Sequence, residues 1–379
     1  MKRRLAGGLA AVLAGTLVLA ACGDDDTTGE GGGGAAALTP VKLQLQWAYQ
    51  AQFAGYIAAR DKGFFEEEGL DVELLEAAVD TPPHQVLADG GADFAIAWVP
   101  KALQIRESGA EITNIAQIFQ RSGTLQVSFK DKGINAPADL AGKKVGNWGF
   151  GNEYELFAAM TEAGIDPSSG VTLVQQDFNM NALLSGDIDA AQAMSYNEYA
   201  QVLEAENPAT GELYKPEDFT VLDWDEVGTA MLQDSIWADT EKLEDPAYQD
   251  TATKIIKASI KGWVYCRDNP EECRDLVVAA GSKLGASHQL WQMNEVNQLI
   301  WPSPDGIGTL DEAAWKQTVE IAKATKNADG DTVLTKDPEG LAYTTDYVTK
   351  ALEELRGEGV DVTGTNYKPI TVTLEPGGV

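Results

Sequence analysis

Histidine and cysteine, the residues that most often build metal centres and nucleophilic sites, are scarce in this chain. Only two histidines, His84 and His288, occur among its 379 residues, and they are far apart in the sequence. Two distant histidines are too few for a histidine-rich zinc site, and they give few possibilities for a triad of serine, histidine and aspartate. We expect no metal and no cofactor.

Positive charge is also scarce. The chain has 28 lysines and arginines against 59 aspartates and glutamates, which gives a net charge of -31 at pH 7. Binding to nucleic acid needs clustered lysines and arginines, and so does electrostatic attraction to an anionic lipid surface. The composition therefore argues against both partners and indicates a highly soluble protein in an exposed compartment.

The first 22 residues have the pattern of a secretory signal. Lys2, Arg3 and Arg4 precede an apolar run over residues 5–21, which ends in Leu-Ala-Ala before Cys22. This ending resembles the bacterial lipobox, and the resemblance implies cleavage before Cys22 and a lipid on its thiol. The alternative is an ordinary membrane anchor, for which about 17 apolar residues are marginal.

Residues 23–38 are mostly Asp, Thr, Gly and Ala, so they have little to bury and are typical of a flexible tether. The sequence thus predicts a signal peptide over residues 1–21 and a lipid-anchored tether over residues 22–39. A lipid, a tether and a folded body describe a protein held at the extracytoplasmic face of the cell membrane.

The other two cysteines, Cys266 and Cys273, lie in the segment CRDNPEEC. On one continuous helix they would be about 10 Å apart, which is too far for a disulfide. Asp268, Asn269 and Pro270 should interrupt the helix, however. We expect a disulfide that clamps the two resulting helices, as an oxidising compartment permits; the alternative is two free thiols.

Strand and helix patterns alternate from residue 41 to residue 204. Residues 41–47, VKLQLQW, alternate apolar and polar side chains as a half-buried strand does, and a helical pattern that includes Phe53, Tyr56 and Ile57 follows. Strands that alternate with helices of about 10 to 15 residues predict βαβ units and a parallel sheet. The chain is also too long for one compact core and suits two domains.

A repeat divides this region into two similar halves. Residues 90–97, GGADFAIA, and residues 186–193, GDIDAAQA, share the pattern G-x-x-D-x-A-x-A. Before each lies a strand that ends in a tryptophan, Trp47 or Trp148, followed by a loop and a helix. The repeat predicts two similar lobes; the alternative is chance similarity between segments rich in Gly, Ala and Asp.

The pattern changes after residue 218. Strand segments within residues 219–243 are predicted to return to the first lobe, and the rest is mostly helical. The predicted helices cover residues 246–268, 271–281, 287–299, 311–326 and 345–357.

Residues 45–77 resemble the opening of solute-binding proteins of ABC importers, in the branch that binds thiamine pyrimidine precursors, flavin precursors and alkylsulfonates. Further matches are residues 90–97, 133–148 and 184–193. The resemblance covers residues 41–204, with a weaker continuation to about residue 355. These motifs are specific for the superfamily and much less so for the ligand.

The resemblance implies an α/β fold of the periplasmic binding protein type II. Two Rossmann-like lobes are joined by two crossing segments and close on a central ligand cleft by hinge motion. Lobe 1 would comprise residues 40–122 and 228–379, including the C-terminal helices, and lobe 2 residues 123–227. The implied partners of this protein, expected to be a monomer, are a small-molecule ligand, an ABC permease and its ATPase.

Strand ends and helix starts face the cleft in such a fold. The candidate ligand-binding residues are Trp47, Gln52, Phe53, Trp98, Gln120, Trp148, Asn152, Glu153, Tyr154, Asp177, Ser195, Tyr196, Asn197 and Glu198. Aromatic rings and amides dominate this set, and the cationic candidates are Lys101 and Arg121. The set suits a planar nitrogen heterocycle, which needs stacking faces and hydrogen-bond acceptors. A sulfonate or phosphate would want an arginine fork or clustered backbone N–H donors, and alkylsulfonates remain the alternative.

Two hypotheses follow for particular side chains. Trp47 and Trp148 stack on the two faces of a planar ligand, so that alanine at either position abolishes binding with little effect on stability. The alternative is that both are core tryptophans. Glu153 or Glu198 accepts a hydrogen bond from a ligand amino group; the alternative is that each only stabilises a helix N-terminus.

An enzyme is the alternative class within this fold family, which includes a eukaryotic pyrimidine synthase that consumes one of its own histidines and uses an iron-binding cysteine cluster. Gln52-Phe53-Ala54-Gly55 stands here where the synthase has Asn-His-Thr-Gly, and the cysteine cluster has no counterpart. We therefore expect no enzymatic activity. An adhesion or structural protein, a third class, would not close on a small metabolite.

Overall fold

The computed structural model describes residues 37–327 and 329–379, and Ala37–Val379 form one compact unit. The predicted signal peptide, Cys22 and the tether up to residue 36 lie outside the described residues. Within the described part, no helix combines the length and hydrophobicity needed to cross a bilayer.

Short strands and helices alternate through the first two thirds of the chain, as predicted, and helices dominate the last third. The strands are β1 (Thr39–Gln44), β2 (Leu70–Leu75), β3 (Phe94–Trp98), β4 (Ile112–Gln117), β5 (Thr124–Phe129), β6 (Lys144–Asn147), β7 (Thr172–Gln175), β8 (Ala191–Met194), β9 (Phe219–Asp223) and β10 (Asp234–Asp239). The α-helices are α1 (Ala54–Asp61), α2 (Phe64–Glu67), α3 (Pro83–Ala88), α4 (Val99–Glu107), α5 (Tyr154–Glu162), α6 (Asn181–Leu184), α7 (Glu198–Leu203), α8 (Trp224–Val227), α9 (Pro246–Asp268), α10 (Pro270–Ala279), α11 (Ala286–Ile300), α12 (Glu312–Ala324) and α13 (Asp346–Gly357).

Local sequence accounts for where several of these elements begin and end. The Asp245 side chain accepts a hydrogen bond from the Ala247 N–H, and Pro246 takes the first position of α9, a favourable start for a helix. Gly63 has φ 79°, a left-handed conformation that favours glycine, and it separates α1 from α2.

The first sheet has the order β2-β1-β3-β10-β4. Strands β1, β2 and β3 are parallel, whereas β10 runs antiparallel to both β3 and β4. The segment that contains β10 therefore returns to the first sheet, as the sequence predicted.

The second half of the βα region repeats this arrangement. β5 pairs antiparallel with β8 and β9, and β6 pairs parallel with β7. A single bridge between Val145 and Ala190 joins the two groups, which gives the order β7-β6-β8-β5-β9. The chain passes between lobes after β4 and again before β10, and this is the two-lobed α/β fold that the sequence predicted. The limits at residues 122–123 and 227–228 stay predictions.

Helix α9 packs closely on α1 behind the first sheet. A Cβ on Gly262 would lie 1.9 Å from the carbonyl oxygen of Gly55, so only glycine permits this approach. Helix α9 ends at Asp268 and α10 begins at Pro270, which is the interruption expected there. Cys266 and Cys273 are joined in a disulfide with a Cα–Cα distance of 5.4 Å.

Candidate functional site

The predicted cleft lies where the carboxyl ends of β1, β3 and β6 meet. In α/β sheets, ligands bind just beyond the carboxyl ends of parallel strands. Trp47 follows β1, Trp98 ends β3 and Trp148 follows β6. The sequence pattern alone therefore predicts three indoles in this region. Residues that are distant in the sequence supply its polar groups.

Asp234 is the centre of a buried polar cluster in the first lobe. Its Oδ1 atom accepts a hydrogen bond of 2.7 Å from Trp98 Nε1, and its Oδ2 atom accepts one of 2.9 Å from Gln52 Nε2. Gln50 Nε2 in turn donates to Gln52 Oε1 at 2.6 Å. Burial raises the pKa of Asp234 to about 7, and the hydrogen bonds from Gln52 and Trp98 oppose that rise. The cluster fixes the Trp98 indole and the Gln52 amide.

Two buried tyrosines belong to the same region. Burial raises the pKa of Tyr196 well above its ordinary value, and the nearby charge of Asp234 adds to the effect. The same two causes raise the pKa of Tyr56, whose ring packs edge-on against Trp263.

Lys101 reaches across from the first lobe to the second. Its Nζ atom donates to Asn152 Oδ1 at 2.6 Å and lies 4.6 Å from the centroid of the Trp98 ring. Burial lowers the pKa of Lys101 to about 8, and the charges of Glu153 and Asp234 oppose that shift. The ammonium therefore links both lobes at the cleft.

Glu153, beside Asn152, has a carboxyl oxygen that is free to bind. The residue is 4% exposed, and its Oε2 atom has no hydrogen-bond partner among the described residues. Burial raises the pKa of the Glu153 carboxyl, while hydrogen bonds from the local backbone and the Lys101 charge oppose the rise. A ligand amino group could satisfy this oxygen.

The Glu198 carboxylate is fully engaged by the protein. Its Oε2 atom accepts from the Met194 N–H at 3.0 Å and its Oε1 atom from Asn197 Nδ2 at 2.7 Å. Asn197 Oδ1 pairs with His288 Nε2 at 2.9 Å, and Glu204 Oε1 pairs with the His288 Nδ1 atom at 2.9 Å. These contacts hold α7 of the second lobe against α11.

An aromatic group spans the two lobes. The Phe178 ring lies 4.9 Å from the Trp47 ring at an interplanar angle of 45°, and 6.0 Å from the Trp148 ring at 19°. Trp148 is 3% exposed, whereas Trp47 is half-buried. Trp47, Trp148 and Phe178 thus form one aromatic group. Phe178 was not among the predicted site residues.

Most of the other predicted residues are buried or hydrogen-bonded to the protein, and one of them is exposed. Phe53 is fully buried in the main core, and Gln120 Nε2 donates to the Gln117 carbonyl at 2.6 Å. The Tyr154 hydroxyl donates to Gln104 Oε1 at 3.1 Å across the lobes. The Ser195 carbonyl accepts from Trp291 Nε1 at 3.0 Å, while Asp177 is exposed beside Phe178.

Glutamines hold the two tryptophan loops in place. In the second lobe, Gln192 Oε1 accepts from the Trp148 N–H at 3.0 Å, and Gln192 Nε2 donates to the Asn152 carbonyl. In the first lobe, the Ala51 N–H donates to Gln289 Oε1 at 2.6 Å and to Gln292 Oε1 at 2.8 Å. Sequence reasoning missed these residues because their partners are backbone groups far along the chain.

Asp234 was missed as well, although the sequence carries a signal for it. A charged residue at the entrance to an apolar strand needs a partner, and the segment QDSIWA has that form. Which groups supply the partners could not be read from the sequence, because Gln52 and Trp98 are 182 and 136 positions away.

A small cavity lies between the two lobes in this structure. A cavity of about 10 Å³ lies between Trp98 and Pro100 on one side and Gly151, Asn152 and Tyr154 on the other. A ring could enter this cavity only if the lobes separated. A larger cavity of about 320 Å³ lies beside the end of α4 and the segment 334–340, and none of the predicted site residues lines it.

Comparison with known proteins places this geometry in a family. The family model described as NMT1/THI5 like matches residues 50–273, more than half of the chain. The formylaminopyrimidine-binding protein of Halalkalibacterium halodurans is 24% identical over 294 residues, which cover 75% of this chain and 84% of that protein. The 4-amino-5-hydroxymethyl-2-methylpyrimidine phosphate synthase of Legionella pneumophila is 27% identical over 133 residues, which cover 35% and 42%.

Solved structures agree on the fold. The periplasmic aliphatic sulphonate binding protein SsuA from Escherichia coli matches with a TM-score of 0.54 at 14% identity, over 89% of this chain and 94% of that one. The resemblance inferred from the motifs in residues 45–193 is thereby confirmed. The chain belongs to the NMT1/THI5-like family and has the fold of the periplasmic binding proteins.

Proposed function

We propose that this protein is the extracytoplasmic solute-binding component of an ABC importer, and that it captures a small planar nitrogen heterocycle of the thiamine-pyrimidine-precursor class. The observation that carries the proposal is the free oxygen of Glu153, which lies at the start of α5 on the loop that follows β6 and Trp148. Indoles supply stacking faces, and a buried carboxylate oxygen accepts from an exocyclic amine. The relative that binds formylaminopyrimidine supports the same ligand class.

Capture requires the lobes to open and close. Lys101–Asn152 and Tyr154–Gln104 hydrogen bonds cross the cleft, so opening breaks them and closing restores them. A ligand that contacts both lobes favours the closed arrangement through its differential affinity for it. The closed protein then delivers the ligand to a permease.

A pair of glutamate substitutions tests the ligand class. By titration calorimetry with 4-amino-5-hydroxymethyl-2-methylpyrimidine and formylaminopyrimidine, we expect Glu153→Gln to weaken binding about tenfold or more, because its free oxygen loses its charge. Glu198→Gln is the matched control, because both of its oxygens already bind protein N–H groups; it should mainly reduce stability. Unchanged affinity of Glu153→Gln would remove this carboxylate from the proposal.

Alkylsulfonates are the second candidate class, and Lys101 is the observation that favours them. Its ammonium lies at the cleft and could pair with a sulfonate, but it already binds Asn152 and interacts with Glu153 and Asp234. Ethanesulfonate in the same titrations should therefore bind more weakly than the pyrimidines. Native mass spectrometry of the purified protein should show which small molecule it retains.

We propose further that the protein is a monomeric lipoprotein, processed before Cys22, and that it has no enzymatic activity. The synthase relative matches little more than a third of this chain, and Gln52-Phe53-Ala54-Gly55 stands where the family resemblance implies Asn-His-Thr-Gly in a synthase. Formation of a pyrimidine product by this protein with iron and pyridoxal phosphate would overturn the last statement.

A further inference from the structure

Phe178 pairs with both tryptophans of the aromatic group. Its centroid distances of 4.9 Å to Trp47 and 6.0 Å to Trp148 fall within the range of aromatic pairs, and the near-parallel 19° angle to Trp148 is a stacked arrangement. Trp47 follows β1 of the first lobe, whereas Trp148 and Phe178 follow β6 and β7 of the second. One phenyl ring therefore connects indoles from opposite lobes.

From these contacts we infer that Phe178 is an internal competitor of the ligand, and this rests on the proposed function. A planar ligand that stacks on Trp47 and Trp148 needs the indole surface that Phe178 contacts. The Phe178 ring must leave at least one indole before such a ligand can stack on both. Phe178 therefore sets both the affinity for the ligand and the selection for flat rings.

The surroundings of Phe178 allow this movement. Its side chain is 39% exposed, whereas Trp148 is 3% exposed. Among the described residues, neither the N–H nor the carbonyl of Phe178 takes part in a hydrogen bond. The chain around Phe178 is held by two hydrogen bonds: the Gln176 N–H donates to the Asn147 carbonyl at 2.9 Å, and the Asn179 N–H donates to the Asp177 carbonyl at 2.7 Å. The ring can thus turn away while its loop stays in place.

Selectivity follows from what the ligand must replace. A flat heterocycle restores the pairing with both indoles after it displaces Phe178, whereas a short alkylsulfonate has no π-face and restores neither. Phe178 thus weakens the binding of non-planar solutes more than it weakens the binding of planar ones. Its removal should increase affinity for both kinds of solute and narrow the difference between them.

Titration calorimetry on the full-length protein tests the inference, with formylaminopyrimidine and ethanesulfonate as probes. We expect Phe178→Ala to bind formylaminopyrimidine about tenfold more tightly than the unsubstituted protein does. Phe178→Tyr keeps the ring and should match the unsubstituted protein. Phe150→Ala is the matched control, because Phe150 is a 63% exposed phenylalanine on the neighbouring loop of the same lobe. It should leave the affinity unchanged.

The remaining outcomes overturn the inference in distinguishable ways. Equal or weaker pyrimidine binding by Phe178→Ala, with Phe178→Tyr unchanged, would make Phe178 a wall of the site and leave the proposed function standing. Equal increases in affinity for Phe178→Ala and Phe150→Ala would mean that both substitutions act by loosening the loops, and not through the contact of Phe178 with the indoles. Absence of pyrimidine binding by every variant, all of them folded by circular dichroism, would overturn the inference together with the proposed ligand class.

Discussion

The two lobes are built from one repeat, and the same aspartate performs the same task in each. Asp93 Oδ2 accepts from the Lys42 N–H at 2.9 Å in the first lobe, and Asp189 Oδ2 accepts from the Lys144 N–H at 3.0 Å in the second. Each aspartate lies just before the strand next to the one it binds. The repeat predicted from G-x-x-D-x-A-x-A is therefore confirmed in the hydrogen bonding.

The lobes differ in the loop that follows this shared unit. Trp47 comes five positions after Lys42, whereas Trp148 comes four positions after Lys144. The first indole is half-buried and the second is buried. The repeat thus specifies a tryptophan at each strand end, but the two indoles are buried to different depths. Trp148 is a fixed wall, and Trp47 is the more adjustable surface.

The largest expected contrast between the lobes is in the cost of removing each tryptophan. Trp148→Ala should lower the free energy of unfolding by about 3 to 5 kcal/mol, as for other buried tryptophans. Trp47→Ala should cost less, about 1 to 2 kcal/mol, because the Trp47 ring is only partly buried. Urea unfolding followed by circular dichroism measures both. The sequence predicted that neither substitution would affect stability much. Because Trp148 is buried, we now expect Trp148→Ala to lower the free energy of unfolding.

Equal costs at the two positions would contradict this difference between the lobes. Ligand titration on the same two variants measures the contribution of each indole to binding, separately from its contribution to stability. Both indoles contact the Phe178 ring, whose place the ligand is proposed to take. We expect each variant to lose pyrimidine binding, by about a hundredfold.

A difference of intermediate size in unfolding free energy is expected between the glutamines that hold the two tryptophan loops. Gln192→Ala removes the partners of the Trp148 N–H and the Asn152 carbonyl, so we expect a loss of about 2 to 3 kcal/mol in unfolding free energy. Gln292→Ala should cost about 1 kcal/mol or less, since the Ala51 N–H keeps Gln289 as an acceptor. A larger loss for Gln292→Ala in urea unfolding would mean that the first loop depends on a single glutamine.

The smallest difference is expected between the two repeated aspartates. Asp93→Ala and Asp189→Ala each remove one acceptor from a backbone N–H, so both should cost about 1 kcal/mol in thermal or urea unfolding. Each aspartate also has an exposed or partly exposed ion pair, Asp189 with Lys132 at 2.9 Å and Asp93 with Lys242 at 3.9 Å, which adds at most a few tenths of a kcal/mol. A difference above about 1 kcal/mol would break the equivalence of the two aspartates.

The pH dependence of the Asp189 contribution has a defined sign. The Lys144 N–H and the Lys132 ammonium lower the pKa of the Asp189 carboxyl. Its stabilisation is therefore present above the ordinary aspartate pKa and is lost as the pH falls through the lowered value. Asp189→Ala and the unsubstituted protein should accordingly converge in stability in acid.

Much of the secondary structure and the return of β10 could be predicted from local pattern. The helix predicted over residues 246–268 is α9, because Asp245 and Pro246 mark its start and Asn269 and Pro270 its end. The predicted parallel arrangement is found in β1, β2 and β3 and in β6 and β7, whereas the local pattern did not predict the antiparallel pairs made by β5 and β10. Phe178 could not be predicted as a partner of the tryptophans, because it follows β7 in a segment that also reads as the start of a helix.

The amino-acid sequence by itself determined the repeat, the alternation of strands and helices, and the presence of a tryptophan after β1 and after β6. These depend on local periodicity and on residues such as Asp93 and Asp189, whose roles follow from their place in a βα unit. Only the tertiary structure decided that Glu153 keeps a free oxygen while Glu198 does not, and that Phe178 contacts both indoles. Those properties depend on which groups from distant parts of the chain meet at the cleft, and side-chain type alone cannot specify that.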